Sequence, residues 1–301
     1  MIVTFGSINV DFVYAVAEMP RPGQTLMAKT FRTEAGGKGA NQALAAARDG
    51  AEVVMVGAVG DDALAEIGLQ NLKAATDISR VSRVAEPTGS ASIQIDAKGR
   101  NMIVVAAGAN LMASSDAVED DLLQRANIVL MQMENDVAEV EKLIRRAAAS
   151  RVMSILNLAP AFPLEDQVLS LCDLLVVNED EAETLAGWLG CGASAQALSA
   201  RLDTGVLRTL GAKGAEAFVK GKYIRLPAMP IDVKDTTAAG DCFVGALASA
   251  LDRGLSLEAA MERASIAVGL ACSRAGSQRS IPIGEETAKM IGTSADHGGR
   301  I

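Results

Sequence analysis

The chain has one histidine in 301 residues, His297, and it stands in the polar C-terminal stretch SADHGGRI, which reads as a frayed end. Histidine-based catalysis is therefore not expected, and acid-base work falls to carboxylates. Cysteines are few as well. Cys172, Cys191, Cys242 and Cys272 lie far apart, with no C-x-x-C pair and no neighbouring histidine, so neither a zinc site nor a disulfide framework is supported. They read as reduced thiols of a cytoplasmic protein. Basic charge is short: 28 Lys and Arg stand against 37 Asp and Glu, a net charge of -9. That balance excludes an extended cationic surface for nucleic acid or acidic lipid, while leaving room for a local phosphate pocket. No uninterrupted apolar run reaches membrane-spanning length, and the first residues, MIVTFGSINVDF, carry neither a basic leader nor a cleavage-site pattern. The expected partners are small molecules, with no nucleic acid and no membrane.

What the chain does have is alternation. Continuous apolar runs at 52–60, 127–132, 151–159, 172–178 and 205–211 read as buried parallel strands. Between them 39–50, 62–75, 136–149, 179–187 and 194–202 read as helices, and two more follow at 239–253 and 257–273. Such βαβ units predict an α/β fold, a doubly wound, mostly parallel sheet flanked by helices. Two segments break the rhythm. Residues 12–33 and 89–105 alternate apolar with polar and carry turn signals at Pro22-Gly23 and Lys98-Gly99, which suits a small antiparallel β-sheet. The expectation is a single domain over 1–301, with these two inserted segments forming a lid.

Two stretches carry chemistry. EAGGKGANQALAAA, 34–47, places three glycines in four residues at a helix start, where backbone can approach a ligand. It is not a Walker A loop, because Gly39 follows Lys38 where Ser or Thr is needed, and no third glycine completes a dinucleotide pattern. DTTAAGDCFVGALASAL, 235–251, sets Asp241 at the mouth of an apolar helix and Asp235 six residues before it. Local sequence alone fits Asp241 equally well as a helix cap. Likewise Asp11, and Glu134 in LMQMEND, fit exposed acids at strand ends.

Taken together, GSINVD at 6–11, GGKGANQA at 36–43, NEDEAE at 178–183, TLGAKG at 209–214 and DTTAAGD at 235–241 resemble, in order and spacing, the ribokinase family of carbohydrate kinases, over residues 1 to about 283. The resemblance implies Mg2+-dependent transfer of a phosphoryl group from ATP to a small sugar. D-ribose, giving ribose 5-phosphate, is the first expectation, before fructose, deoxyribose or a nucleoside. A sugar-binding regulator without catalysis is the reading from another class. The same resemblance makes Asp241 the general base and the amides of Ala238, Ala239 and Gly240 an anion hole. It assigns the sugar to Asn9, Asp11, Gly37, Lys38, Gly39, Ala40, Asn41 and Glu134. ATP falls to Asn178, to Thr209, Leu210, Gly211, Ala212, Lys213 and Gly214, and to Gly240 and Asp241, with adenine near the last helices and Glu181 near magnesium. It also implies K+, or a similar monovalent cation, held by Asp235, Thr237, Ala271, Arg274, Gly276 and Ser280, and a homodimer through the lid. Two departures stand out: Cys242 and Val244 replace polar residues around the base, and Lys213 occupies the nucleotide loop. They leave the reactivity of Cys242 and the nucleotide preference open.

Overall fold

The computed structural model describes residues 1–297. The strands are β1 (Ile2–Phe5), β2 (Asn9–Ala15), β3 (Thr30–Gly36), β4 (Val53–Gly60), β5 (Asp77–Val84), β6 (Gly89–Ile95), β7 (Asn101–Ala106), β8 (Ile128–Met131), β9 (Met153–Asn157), β10 (Leu174–Val177), β11 (Gly205–Thr209), β12 (Ala215–Val219) and β13 (Lys222–Leu226). The helices are α1 (Lys38–Arg48), α2 (Ala63–Leu69), α3 (Leu72–Ala75), α4 (Asp120–Arg125), α5 (Val137–Ser150), α6 (Asp166–Leu169), α7 (Glu179–Leu189), α8 (Ala195–Leu202), α9 (Ala239–Asp252), α10 (Leu257–Cys272) and α11 (Gly284–His297).

Nine strands form the main sheet in the order β13-β12-β11-β10-β9-β8-β1-β4-β5. All its pairs from β11 to β5 run parallel, and β12 and β13 close one edge antiparallel. Each central strand is buried on both faces, so its residues divide by parity. Ile2, Val53, Met55, Ile128 and Leu130 face the core under α1, α9 and α10, while Val3, Val54, Val56, Val129 and Met131 face the core under α4, α5, α7 and α8. From β1 the chain runs outward to β4 and β5, then returns to β8 on the other side of β1 and runs outward again through β9, β10 and β11. The reversal opens a crevice beyond the carboxyl ends of β1 and β8, the position where open α/β sheets bind ligands.

α9 is drawn across α1 by Gly245. A Cβ there would sit 2.4 Å from the Gln42 carbonyl oxygen and 2.6 Å from the Ala45 Cβ, so no larger residue permits this approach. The crossing sets the first turn of α9 beside Asn41 and Gln42.

The predicted strands and helices are present, with the helix expected at 62–75 divided into α2 and α3. The second sheet, in the order β3-β2-β6-β7, uses both rhythm-breaking segments. It departs from the antiparallel expectation in its middle: β2 and β6 pair in parallel, and only the outer pairs are antiparallel. The reason is connectivity, since β2 and β6 are joined through β4 and β5 of the main sheet and not by a turn. The β6–β7 hairpin does turn at Lys98-Gly99, with Gly99 at φ +77. Pro22-Gly23 forms a tight turn closed by Gln24 N–H on the Arg21 carbonyl, midway along the long connection that joins the antiparallel pair β2 and β3. The four cysteines are free; Cys172, Cys242 and Cys272 are buried. The backbone of α11 continues to His297, and the residues after it lie outside the described residues.

Candidate active site

The crevice holds a cavity of about 240 Å³ lined by Lys38, Asn157, Asn178, Glu181, Thr209 and the stretch from Ala238 to Asp241, among others. Strands β9 to β11 contribute at or just past their carboxyl ends: Asn157 on β9, Asn178 after β10 and Thr209 closing β11. Asp241 lies in the first turn of α9 and is buried. Asn41 Nδ2 donates to its Oδ2 at 2.9 Å, and Gln42 Nε2 donates to its Oδ1 at 3.0 Å. Burial drives the Asp241 carboxyl above the usual carboxylate range; the Lys38 ammonium and the two amide donors oppose that rise, and Glu134 adds to it.

α9 begins at Ala238, which takes the left-handed conformation at φ 58 and ψ 16. A residue with a Cβ is strained there, and the turn brings Ala238, Ala239 and Gly240 to the cavity wall. The Ala239 N–H donates to the Thr236 carbonyl at 3.1 Å, so of the three expected anion-hole amides this one already has an acceptor.

On the other side of α1 the Gly-rich stretch is held by sterics. Gly37 has φ +91, and a Cβ on Gly39 would lie 2.5 Å from the Gly6 carbonyl carbon and the Ser7 nitrogen. A Cβ on Gly36 would strike the Asp11 carboxylate at 2.3 Å. The glycines thus let residues 36–39 lie directly on residues 6–11. Glu134 ties the two together: Ser7 Oγ donates to its Oε2 at 2.6 Å, the Lys38 N–H at 3.1 Å and Asn9 Nδ2 at 3.5 Å. Asn110 orients Asn9 by donating to its Oδ1 at 2.7 Å. The Lys38 side chain reaches into the cavity; burial alone would lower its pKa, but Asp241, Glu134 and Glu181 together hold it above the usual lysine value.

The expected sugar residues Asn9, Lys38, Asn41 and Glu134 are therefore gathered around Asp241, with Asp11 close enough to feel its charge. The nucleotide set is gathered less completely. Asn178 and Glu181 form a capping box at the start of α7, which binds the Asn178 N–H to Glu181 Oε2 at 2.8 Å. Burial pushes Glu181 up, opposed by that N–H and by Lys38. Of residues 209–214 only Thr209 lines the cavity. Leu210 is buried, and Lys213 pairs with Glu179 at 3.0 Å. A second cavity, about 360 Å³, lies along α10 between Met229, Ile231, Lys234, Gly269, Leu270 and Ser273.

Asp235 accepts from the Thr237 N–H and hydroxyl at 2.9 and 2.7 Å on Oδ1, and from the Gly276 N–H at 2.9 Å on Oδ2. These donors hold its carboxyl below the usual range, against the burial that would raise it. The nearby Arg274 pairs with Glu286 instead, at 2.6 Å. Asp235 and the 271–280 loop are thus joined through the Gly276 N–H. No group of three or more acids, histidines or cysteines placed to hold a metal ion exists among the described residues. Magnesium fits only as an ion held chiefly by phosphates and water beside Glu181 and Asn178. The thiol of Cys242 is pushed far up by burial, so it is a neutral packing group.

Ser7, Gln42, Asn110, Asn157 and Gln278 were not singled out from the sequence. Ser7 and Gln42 stood inside quoted motifs; the others are polar residues whose burial no local pattern announces.

Asp11 carries a measurable consequence. Burial, then Glu134, Glu34 and Asp241, push it up to about 7. Below about pH 4 it is protonated folded and unfolded alike; between there and pH 7 only the unfolded chain ionises, so stability falls as pH rises and the full penalty stands above 7. Asp11→Asn should match the wild type in denaturant unfolding near pH 4 and exceed it by roughly 2–4 kcal/mol at pH 8. Equal stability of the two proteins at pH 8 would remove this assignment.

The whole described architecture has relatives. A family profile described as pfkB family carbohydrate kinase matches residues 1–284. The chain is 37% identical over 302 aligned positions to a ribokinase of Haemophilus influenzae, covering 96% of this chain and 98% of the relative. Among solved structures, a ribokinase of Thermotoga maritima superposes with a TM-score of 0.90 at 30% identity, covering 97% of this chain and 99% of the other. A ribokinase of Arabidopsis thaliana, complexed with ribose and ATP, gives 0.86 at 30% identity, covering 96% and 98%. With a matched profile over nearly its full length and a carboxylate buried at the crevice where the profile's motifs converge, the chain belongs to the pfkB family of carbohydrate kinases.

Proposed function

We propose that the chain transfers the γ-phosphoryl group of ATP to the primary hydroxyl of D-ribose, giving ribose 5-phosphate and ADP, with Asp241 as the general base. The observation that carries this reading is the placement of Asp241: a carboxylate at a cavity wall, next to the N-terminus of its own helix and within reach of the Lys38 charge. Asn9, Asp11 and Glu134 with Asn41 supply acceptors and donors for a polyhydroxylated ligand, since carboxylates and amides can bridge adjacent hydroxyls. Asp241 takes the hydroxyl proton as the new O–P bond forms and the bond to ADP breaks. The Ala238 and Gly240 amides and Lys38 face the charge on the group in flight.

Asn178, Glu181 and Thr209 lie along the cavity where the phosphates would extend, and Mg2+ there would offset phosphate charge. The second cavity, apolar on its Met229, Ile231 and Leu270 side, suits the adenine ring. The cytoplasm, with its ATP and reduced thiols, is the compartment this reading requires. Asp241→Asn should fold, bind sugar and nucleotide, and lose turnover by about 10²–10⁴ in a coupled ADP-release assay over a panel of pentoses, hexoses and nucleosides. Near-normal turnover in that variant would refute the base. Failure of the wild type on every compound would favour a sugar-binding regulator.

A monovalent cation at Asp235 would act indirectly, by fixing the 235–240 turn and so the amides that follow it. The turnover of the wild type should rise clearly in K+ over Na+ at equal ionic strength, and that of Asp235→Ala should rise little. Equal wild-type rates in the two salts would rule the activating site out.

The small sheet would serve as a lid and as a dimer contact. Every residue of β7 is exposed, Met102, Ile103, Val104 and Val105 among them, and Phe31 on β3 is exposed too. An apolar edge of this extent needs cover, and a second lid supplies it. Light scattering at micromolar concentration should give twice the chain mass, and Ile103→Lys should lower it; a strict wild-type monomer would defeat the dimer.

A further inference from the structure

The buried amides around Asp241 all point one way. Gln278 Nε2 donates to Asn41 Oδ1 at 3.0 Å, and Asn41 Nδ2 donates onward to the base. Gln278 is itself oriented because its Oε1 accepts from Asn71 Nδ2 at 2.8 Å. On the other oxygen, Gln132 Nε2 donates to Gln42 Oε1 at 2.7 Å, and Gln42 Nε2 donates onward to the base. The second Gln42 proton goes to Asn157 Oδ1 at 2.9 Å, whose own Nδ2 is anchored on the Val176 carbonyl at 3.1 Å. Gln42 and Gln132 are fully buried, and Gln278 is nearly so.

A carboxamide presents either a donor or an acceptor, depending on which way round it lies. In each chain the outer glutamine donates to the carbonyl oxygen of the inner amide, and this leaves only the inner NH2 to face Asp241. Were either inner amide reversed, an oxygen would oppose the carboxylate. We propose that Gln278 and Gln132 are remote positioning residues that lock Asn41 and Gln42 donor-first onto the two oxygens of Asp241, keeping the base ionised and fixed in rotation. Chains of aligned hydrogen bonds reinforce one another, so the effect extends beyond the inner pair. Gln278 also belongs to the loop whose Gly276 binds Asp235, so this loop reaches the base by a side chain as well as through the 235–240 turn.

The proposal rests on Asp241 being the base. The charged groups facing Asp241 are Lys38 from α1, Glu134 after β8, Glu181 from α7 and Asp11 from β2, and Gln278→Met leaves each of them in place. The test is the pH dependence of the single-turnover rate at saturating sugar and ATP, with melting temperature as a fold control. Gln278→Met keeps the volume and removes the donor. It should lose about tenfold in rate, the equivalent of one hydrogen bond to a charged group. The acid limb of its profile should move to higher pH, because protonated Asp241 gains relative to the ion. Gln278→Glu, which offers Asn41 no donor and invites it to turn round, should lose more. If Gln278→Met does not fold, Gln132→Met is read in the same way through Gln42. A rate loss with an unmoved acid limb would overturn the proposal, as would wild-type behaviour. Asp241→Asn in the same assay separates the two levels: if it retains the rate, the base assignment fails instead.

Discussion

One ammonium stands among three carboxylates at the centre of this molecule. Lys38 is the cation lining the cavity among the described residues, and Asp241, Glu134 and Glu181 all raise its pKa. Asp241 is buried among them, and Lys38 opposes the rise that burial imposes on its carboxyl, because an uncompensated buried charge is costly. The position of Lys38 depends in turn on the backbone beneath it. Residues 36–39 lie against residues 6–11 only because Gly36, Gly37 and Gly39 present no Cβ, and the Lys38 N–H holds Glu134 while its side chain turns to the other side. Sterics at the glycines, not an ion-binding motif, thus set the electrostatics. A nucleotide entering such a site meets net negative charge, which is the physical reason for magnesium and for a helix N-terminus opposite.

The sequence made some of this readable and hid the rest for identifiable reasons. Buried parallel strands such as EVVMVGAVG are continuous apolar runs and stand out, and so did the helices between them. β5, DISRVSRV, lies at the edge of the sheet with half its residues exposed, and its mixed composition resembles a loop. β12 and β13 form a hairpin too short to register beside the β11 run. In the site, Asp241, Asn41 and Glu134 were found because they stand in or near recognisable motifs. Asn110, Gln132 and Gln278 were missed because no local pattern marks a polar side chain that the fold buries, and which amide meets which depends on contacts 90 to 237 residues apart in sequence. The TLGAKG loop looks uniform in sequence, whereas in the fold Thr209 lines the cavity, Leu210 is buried and Lys213 pairs with Glu179.

The crevice divides its labour by position along the chain. Ser7, Asn9, Asp11, Lys38, Asn110 and Glu134 come from the first half, and the base with Asp235 and Gln278 comes from the last quarter. A ribosome releasing this chain therefore delivers Asn9, Asp11, Lys38 and Glu134 well before Asp241. The strand at which the sheet order reverses, β1, must wait for β8, made more than a hundred residues later, to acquire its second neighbour. α9 can seat Gly245 on α1 only when nearly all of the chain has emerged. The crevice is thus complete only when the last helices dock, and a product ended before α9 lacks Asp241.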